Sequence, residues 1–189
     1  MSPALLVLLA VAASAAPLDA PIAERAAAGW VVRDKVLRLT KPFPLAAVVY
    51  GRKDGAGGNA LEVYGVLKGR AYTLYMHPGS AELLDLDTGP VGRGLPDLLG
   101  DGSRVVAYRS TIPTLGATTL RILTVRRLKV DEAGRFPDGR FASIDGKLFI
   151  VARELPLGRY LSVDCEDFGA LSHNAFKTSV HAPRKGRFV

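Results

Sequence analysis

The stretch Leu61-Glu-Val-Tyr-Gly-Val-Leu-Lys-Gly-Arg-Ala-Tyr-Thr-Leu-Tyr-Met-His77 decides how this chain folds. Leu61, Val63 and Leu67 fall on one side of an extended backbone, with Glu62 and Lys68 on the other. That period of two predicts a half-buried strand over 60–68, because successive side chains of a strand point to opposite faces. Tyr72, Leu74 and Met76 repeat the alternation after Lys68-Gly69-Arg70, so 60–77 is expected to be a hairpin.

The same signal extends in both directions. Strands are expected at 30–33, 36–40, 46–51, 104–109, 118–130, 141–144, 147–153 and 159–163. Within 118–130 the apolar parity changes between Ile122 and Leu123, which predicts a bulge or a break there. Asp54-Gly55, Asp101-Gly102, Asp138-Gly139 and Asp145-Gly146 supply residues that tolerate the positive φ of tight hairpin turns. One helix precedes the strands: Asp19 is placed to cap it, Pro21 fits its first turn, and Gly29 ends it. Gly-Arg-aromatic recurs at Gly134-Arg-Phe136, Gly139-Arg-Phe141, Gly158-Arg-Tyr160 and Gly186-Arg-Phe188. We read each as a way of leaving a turn, with the glycine bending, the arginine in solvent and the ring entering the core.

A faint internal repeat runs through these strands. Val48-Val49-Tyr50, a loop and Leu61 to Lys68 resemble Val106-Ala107-Tyr108, a loop and the strand from Leu120, at an offset near 58. Units of this size suit blades or meanders. A closed propeller needs about four blades or more, so a chain of this length cannot close the ring alone. The expected fold is therefore all-β: an antiparallel hairpin or meander domain, either a partial propeller-like array or a twisted sandwich, with a short N-terminal helix.

The N-terminus carries a different message. Ala4-Leu-Leu-Val-Leu-Leu-Ala-Val-Ala-Ala13 is an apolar run followed by Ala13-Ser14-Ala15, the small-x-small pattern that signal peptidase accepts. The run is too short to span a bilayer, which takes roughly 20 apolar residues. Residues 1–15 are expected to be a signal peptide cut after Ala15, leaving 16–189 as a single β-rich domain that is secreted or periplasmic, with no transmembrane span. A mature chain of about 174 residues buries roughly 70% of its unfolded surface. The single cysteine, Cys165, sits beside Asp164, Glu166 and Asp167, carboxylates that disfavour a thiolate. A buried structural role is expected for it, with no intrachain disulfide.

The segment Asp97-Leu-Leu-Gly-Asp101-Gly-Ser-Arg-Val-Val-Ala-Tyr108 resembles the turn of FG-GAP or VCBS-type repeats of secreted bacterial proteins. In that family a run of aspartates before an apolar strand holds calcium. Asp97 and Asp101 match the first and third carboxylates, whereas Leu99 and Val105 stand where two others belong. Calcium takes six to eight oxygens. The resemblance therefore implies the turn-then-strand geometry without the metal.

Catalytic patterns are sparse. No Gly-x-Ser-x-Gly elbow, His-Glu-x-x-His motif or phosphate-binding loop before a helix occurs. Asp85-Leu86-Asp87 is expected to be a solvated turn. A hydrolase would have to assemble its site from His77, Asp85 and Asp87, joined by Cys165 or His173. The formal charge of +7 is spread along the chain. The candidate contact residues are Lys177, Arg184, Lys185 and Arg187, near the C-terminus, facing an anionic envelope component or another protein. The aromatic interleaving that single-strand nucleic-acid binders need is missing. The expected function is thus an exported, non-enzymatic binding or envelope-accessory module that needs no cofactor. An exported hydrolase with a site near His77, Asp85 and Asp87 is the alternative.

Overall fold

The computed structural model describes residues 17–38, 44–55, 59–77, 81–89, 95–154, 177–184 and 186–189. The expected leader, the strand at 159–163, Gly158-Arg-Tyr160, Cys165, His173 and Lys185 lie outside the described residues. Helix α1 (Asp19–Ala27) leads into a four-stranded antiparallel meander of β1 (Trp30–Arg38), β2 (Leu45–Arg52), β3 (Ala60–Leu67) and β4 (Arg70–His77). A second meander follows, of β5 (Leu83–Leu86), β6 (Arg104–Ile112), β7 (Ala117–Arg126) and β8 (Lys129–Pro137). The third sheet has the order β11-β10-β9, from β9 (Arg140–Ile144), β10 (Lys147–Glu154) and β11 (Lys177–His181). A small ribbon of β12 (Pro183–Arg184) and β13 (Arg187–Phe188) ends the chain.

The sheets stack face to face, as blades do, in an array without closure. Leu45, Ala47, Val49, Leu61 and Val63 of the first sheet meet Val106, Tyr108, Leu123 and Val125 of the second. The other side of the second sheet, with Val105, Ala107, Leu120, Ile122 and Phe136, packs on Ile150 and Ala152 of the third. The remaining face of the first sheet, with Ala46, Val48, Tyr50, Ala60 and Tyr64, is covered by Leu18 and Ile22 of the α1 segment. Both faces of β2 and β3 are therefore inside, and every residue from Leu45 to Gly51 and from Ala60 to Val66 is buried. The half-buried strand expected over 60–68 is thus corrected to one buried on both sides.

This layering also explains the parity change in β7. Leu120 and Ile122 enter the core shared with the third sheet, and Leu123 and Val125 enter the core shared with the first. The β7–β8 ladder does slip between Ile122 and Leu123, where Ile122 opposes Gly134 and Leu123 opposes Glu132. The extra residue is Ala133 of β8, so β7 itself pairs with β6 without interruption. The strand expected over 118–130 is in fact two, split by a tight turn at Arg127-Leu128.

The internal repeat is visible in three dimensions. In the first sheet the slip falls between Val63 and Tyr64 and the extra residue is Leu74, 59 residues before Ala133. The turns Lys68-Gly69 (φ 49° and 75°) and Arg127-Leu128 (φ 49° and 65°) share the same spacing and the positive φ of two-residue hairpins. Ladder register aligns Val48 with Tyr108, an offset of 60 in place of the expected 58. Leu128 is the exception in these turns, a branched side chain in a backbone region that favours glycine. Its reward is contact: a Cβ on Gly65 of β3 would lie 2.7 Å from Leu128 Cδ2 and 3.0 Å from Leu74 Cδ1. Gly65 is the socket into which the second sheet plugs.

Other elements differ from expectation for local reasons. The strands expected at 30–33 and 36–40 form one strand, β1, over the described residues to Arg38, with an irregularity between Val32 and Asp34 that leaves Arg33 without a ladder partner. Bulges and charges of this kind keep an edge strand from pairing with other chains. The helix starts one residue earlier than the expected cap: Leu18 occupies that position and Asp19 is the first helical residue. Leu18 is 5% exposed, and its burial against the first sheet outweighs a side-chain cap. Gly29 (φ 81°) does end the helix as expected. Asp138-Gly139 carries the chain from the second sheet to the third, and Asp101-Gly102 precedes β6, so neither closes a hairpin. In the Gly-Arg-aromatic motifs, Phe136 and Phe188 are buried and Phe141 packs against them, while Arg135, Arg140 and Arg187 are exposed. Gly134 sits within β8, where a Cβ would lie 2.6 Å from the Phe136 ring, so that glycine makes room for the ring and does not form a turn.

Gly65→Ala is expected to lower stability by about 1–3 kcal/mol through overpacking. Adding Leu128→Ala should restore part of the loss. Urea denaturation of the two single variants and the double variant checks this coupling.

Candidate functional site

The C-terminal ribbon is built around one anchor. Phe188 is buried and meets Phe136 edge-on, with ring centroids 6.0 Å apart. Ala182 and Val189 exchange backbone hydrogen bonds of 2.7 and 3.0 Å, and Gly186 (φ 89°) makes the turn. Anchoring Phe188 inside leaves its neighbour Arg187 outside. Arg184 and Arg187 are both exposed and stand directly opposite each other in the ladder. Like charges opposed in this way repel. Lys177 is also exposed but begins β11, opposite Glu154, at the end of that strand away from the ribbon. Of the candidate contact residues, the fold brings together Arg184 and Arg187.

The Asp97–Tyr108 segment forms a turn followed by strand β6. Its carboxylates are engaged by backbone: Asp97 accepts from the amides of Asp101 (3.3 Å) and Gly102 (2.8 Å), and Asp101 accepts from the Ser103 amide (2.9 Å). The adjacent Ser103, through its side chain and its amide hydrogen bond, holds the Asp101 carboxyl below its ordinary range. Leu99 and Val105, which occupy the positions of the two missing carboxylates, are buried in the core between the second and third sheets. Among the described residues, no group of three or more His, Cys, Asp or Glu side chains is placed to hold a metal.

The residues of the hydrolase alternative are divided by the sheet. Leu84 and Leu86 point into the core between the first and second sheets, so Asp85 points the opposite way and is exposed. The solvated turn expected at 85–87 is corrected to strand β5 and its continuation, because those two leucines need a buried face. Asp87 is held by Arg109 at 2.8 Å, and Arg109 also donates to the Gly139 carbonyl at 2.9 Å. His77, on the inner side, is 6% exposed and contacts Tyr108, Nδ1 to hydroxyl, at 3.3 Å. Its Nε2 faces Glu82 at 3.5 Å. A cleft lined by Val36, Leu86, Asp87, Leu95 and Val106 has room for about one water, a volume near 10 Å³.

Two polar clusters escaped sequence reasoning because alternation assigns charged residues to solvent. Glu62, 3% exposed, lies under α1, where the Arg25 guanidinium and the Tyr64 hydroxyl both reach it. Tyr64 in turn pairs with Tyr50 at 3.0 Å, and burial pushes both phenols up. Arg25 also lies 5.8 Å from the ring centroids of Trp30 and Tyr50. Glu62 stands opposite Met76 and between buried apolar neighbours, and only its fixed partners make that position tenable. The second cluster, around His77, lies between the first and second sheets.

Comparison with protein-family models, with curated proteins and with solved structures finds no match to this chain. No helix among the described residues is long and apolar enough to cross a membrane.

Asp97→Ala is expected to lower stability by about 1 kcal/mol, because two amides lose a charged acceptor. Millimolar calcium should leave the melting temperature of the unaltered chain unchanged. Thermal melts with calcium and with chelator check both statements.

Proposed function

We propose that this chain is an exported, non-enzymatic β module that binds an anionic component of the cell envelope through its C-terminal ribbon. The observation that carries this reading is the exposed Arg184–Arg187 pair, fixed in register by the buried Phe188. Two guanidinium groups forced opposite each other raise the local potential, and a polyanion relieves that repulsion. The ionisable groups of the body support the same reading from the other side. His77, Glu82, Asp87 and Arg109 are engaged in contacts between strands and sheets, and Asp85 points away from His77. An apolar leader and a signal-peptidase pattern at residues 4–15 favour export. Guanidinium groups pair with planar oxyanions such as phosphate, sulfate or carboxylate.

The test is retention on vesicles of phosphatidylcholine with about one-third phosphatidylglycerol, and on immobilised sulfated polysaccharide, in low salt. The proposal expects retention of the wild-type chain that weakens steeply as salt rises. Arg184→Gln with Arg187→Gln should reduce retention several-fold while the melting temperature stays the same. Absence of retention on both supports, or retention indifferent to the two arginines, would overturn it.

A further inference from the structure

Tyr108 of β6 is fully buried, and its hydroxyl touches two groups of the first sheet. It lies 3.0 Å from the Tyr75 hydroxyl and 3.3 Å from His77 Nδ1. The His77 and Tyr108 rings meet edge-on, with centroids 5.8 Å apart at 71°. His77 Nε2 faces Glu82, whose carboxylate also accepts a hydrogen bond from the Ser110 hydroxyl in β6. Arg121 of β7 and Glu132 of β8 bear on the same imidazole, and Glu132 is paired with Arg121 and Arg135. The remaining neighbour across the first sheet, Leu61, is apolar. A chain of hydrogen bonds thus crosses a seam that is otherwise made of aliphatic side chains.

The direction of that chain depends on the protonation state of His77. With Nε2–H directed at Glu82, neutral His77 accepts a hydrogen bond from the Tyr108 hydroxyl at Nδ1, and Tyr108 accepts one from Tyr75. A second proton on the ring converts Nδ1 to a donor. Tyr108 must then accept from His77 Nδ1–H and donate its own hydrogen bond to Tyr75, so every hydrogen bond in the chain turns round. A cation also appears beside Arg121 in a region nearly closed to water.

We propose that this seam is an acid-released latch: protonation of His77 loosens the unit formed by α1 and the first sheet from the second sheet, while the second and third sheets stay together. The latch shares no residue with the C-terminal ribbon. Burial, followed by the Arg121 charge, holds the His77 imidazole below its ordinary value near 6.5, with Glu82 and Glu132 acting the other way. Below that ordinary value the opened form therefore binds a proton that the closed form resists. The latch is fully effective above pH 6.5, weakens as pH falls through that value, and levels off once the closed form is also protonated. The opened state lays bare Leu45, Val49, Leu61 and Val63 on one side and Val106 and Tyr108 on the other.

Hydrogen exchange followed by mass spectrometry on the full chain, at pH 7.5 and 5.0 with correction for intrinsic rates, tests the latch. Protection in β4 and β6 should fall roughly tenfold for each unit by which the closed-state imidazole is held down, while β9 and β10 keep theirs. His77→Gln, which carries no titratable proton, should abolish the difference between the two pH values. In the wild-type chain, the NMR titration of the His77 ring supplies a readout that needs no variant, with a midpoint below 6.5. Uniform loss of protection across all three sheets, an acid response that persists in His77→Gln, or a His77 midpoint at or above 6.5 would each overturn the proposal.

Discussion

Burial of both faces of the inner sheets is the constraint from which the remaining features follow. A sheet with one wet face can place charges on alternate residues, but β2, β3 and the middle of β7 have no wet face. Each apolar side chain of Leu, Ile or Val taken fully from water contributes about 1.5–3 kcal/mol. That gain is available only if the three sheets lie against one another. It also dictates what a polar residue inside must do. Glu62 is tenable because Arg25 and Tyr64 reach it, and His77 because Tyr108 and Glu82 do. The α1 segment takes the place of a further sheet at one end, with Leu18 and Ile22 as its contacts.

The two four-stranded meanders solve this packing problem in the same way. Leu74 and Ala133 are extra residues at corresponding points of β4 and β8, and each sits on the side facing the next sheet. A bulge increases local twist, so equal bulges at equal places give the two sheets matched curvature and let them nest. The hairpin turn next to Ala133 points toward the first sheet, and Leu128 uses this to reach Gly65. Glu62 and Arg121 occupy equivalent places in the repeat yet bear opposite charges, because one meets an arginine from α1 and the other a glutamate from β8.

Much of this was legible in the sequence. The hairpin at 60–77, the irregularity at Ile122–Leu123 and the rings of Phe136, Phe141 and Phe188 follow from alternation, parity and a repeated tripeptide. What sequence could not convey is which faces are covered. Strand β5 is four residues long, and its Asp85, with Asp87 just beyond it, disguises a pattern carried by Leu84 and Leu86 alone. The turn at Arg127-Leu128 contains no glycine, asparagine or aspartate, so nothing local announces it; its justification is a socket more than 60 residues earlier. Among the candidate contact residues, Arg184 and Arg187 were legible as a basic cluster, but their register was not, because it depends on the distant Phe136. The exposed fate of Asp85 and the buried one of His77 likewise depend on layering that only the assembled sheets define.

Both the layered core and the His77 seam require the first and second sheets to be in face-to-face contact in solution. The most direct measurement is a nuclear Overhauser spectrum of the folded chain with its methyl groups assigned. A cross-peak between the Leu128 methyls and the Gly65 α-protons is predicted, along with one linking the Tyr75 and Tyr108 rings. Leu128 methyls at solvent-like shifts, with no cross-peak to any residue of β3 or β4, would contradict it.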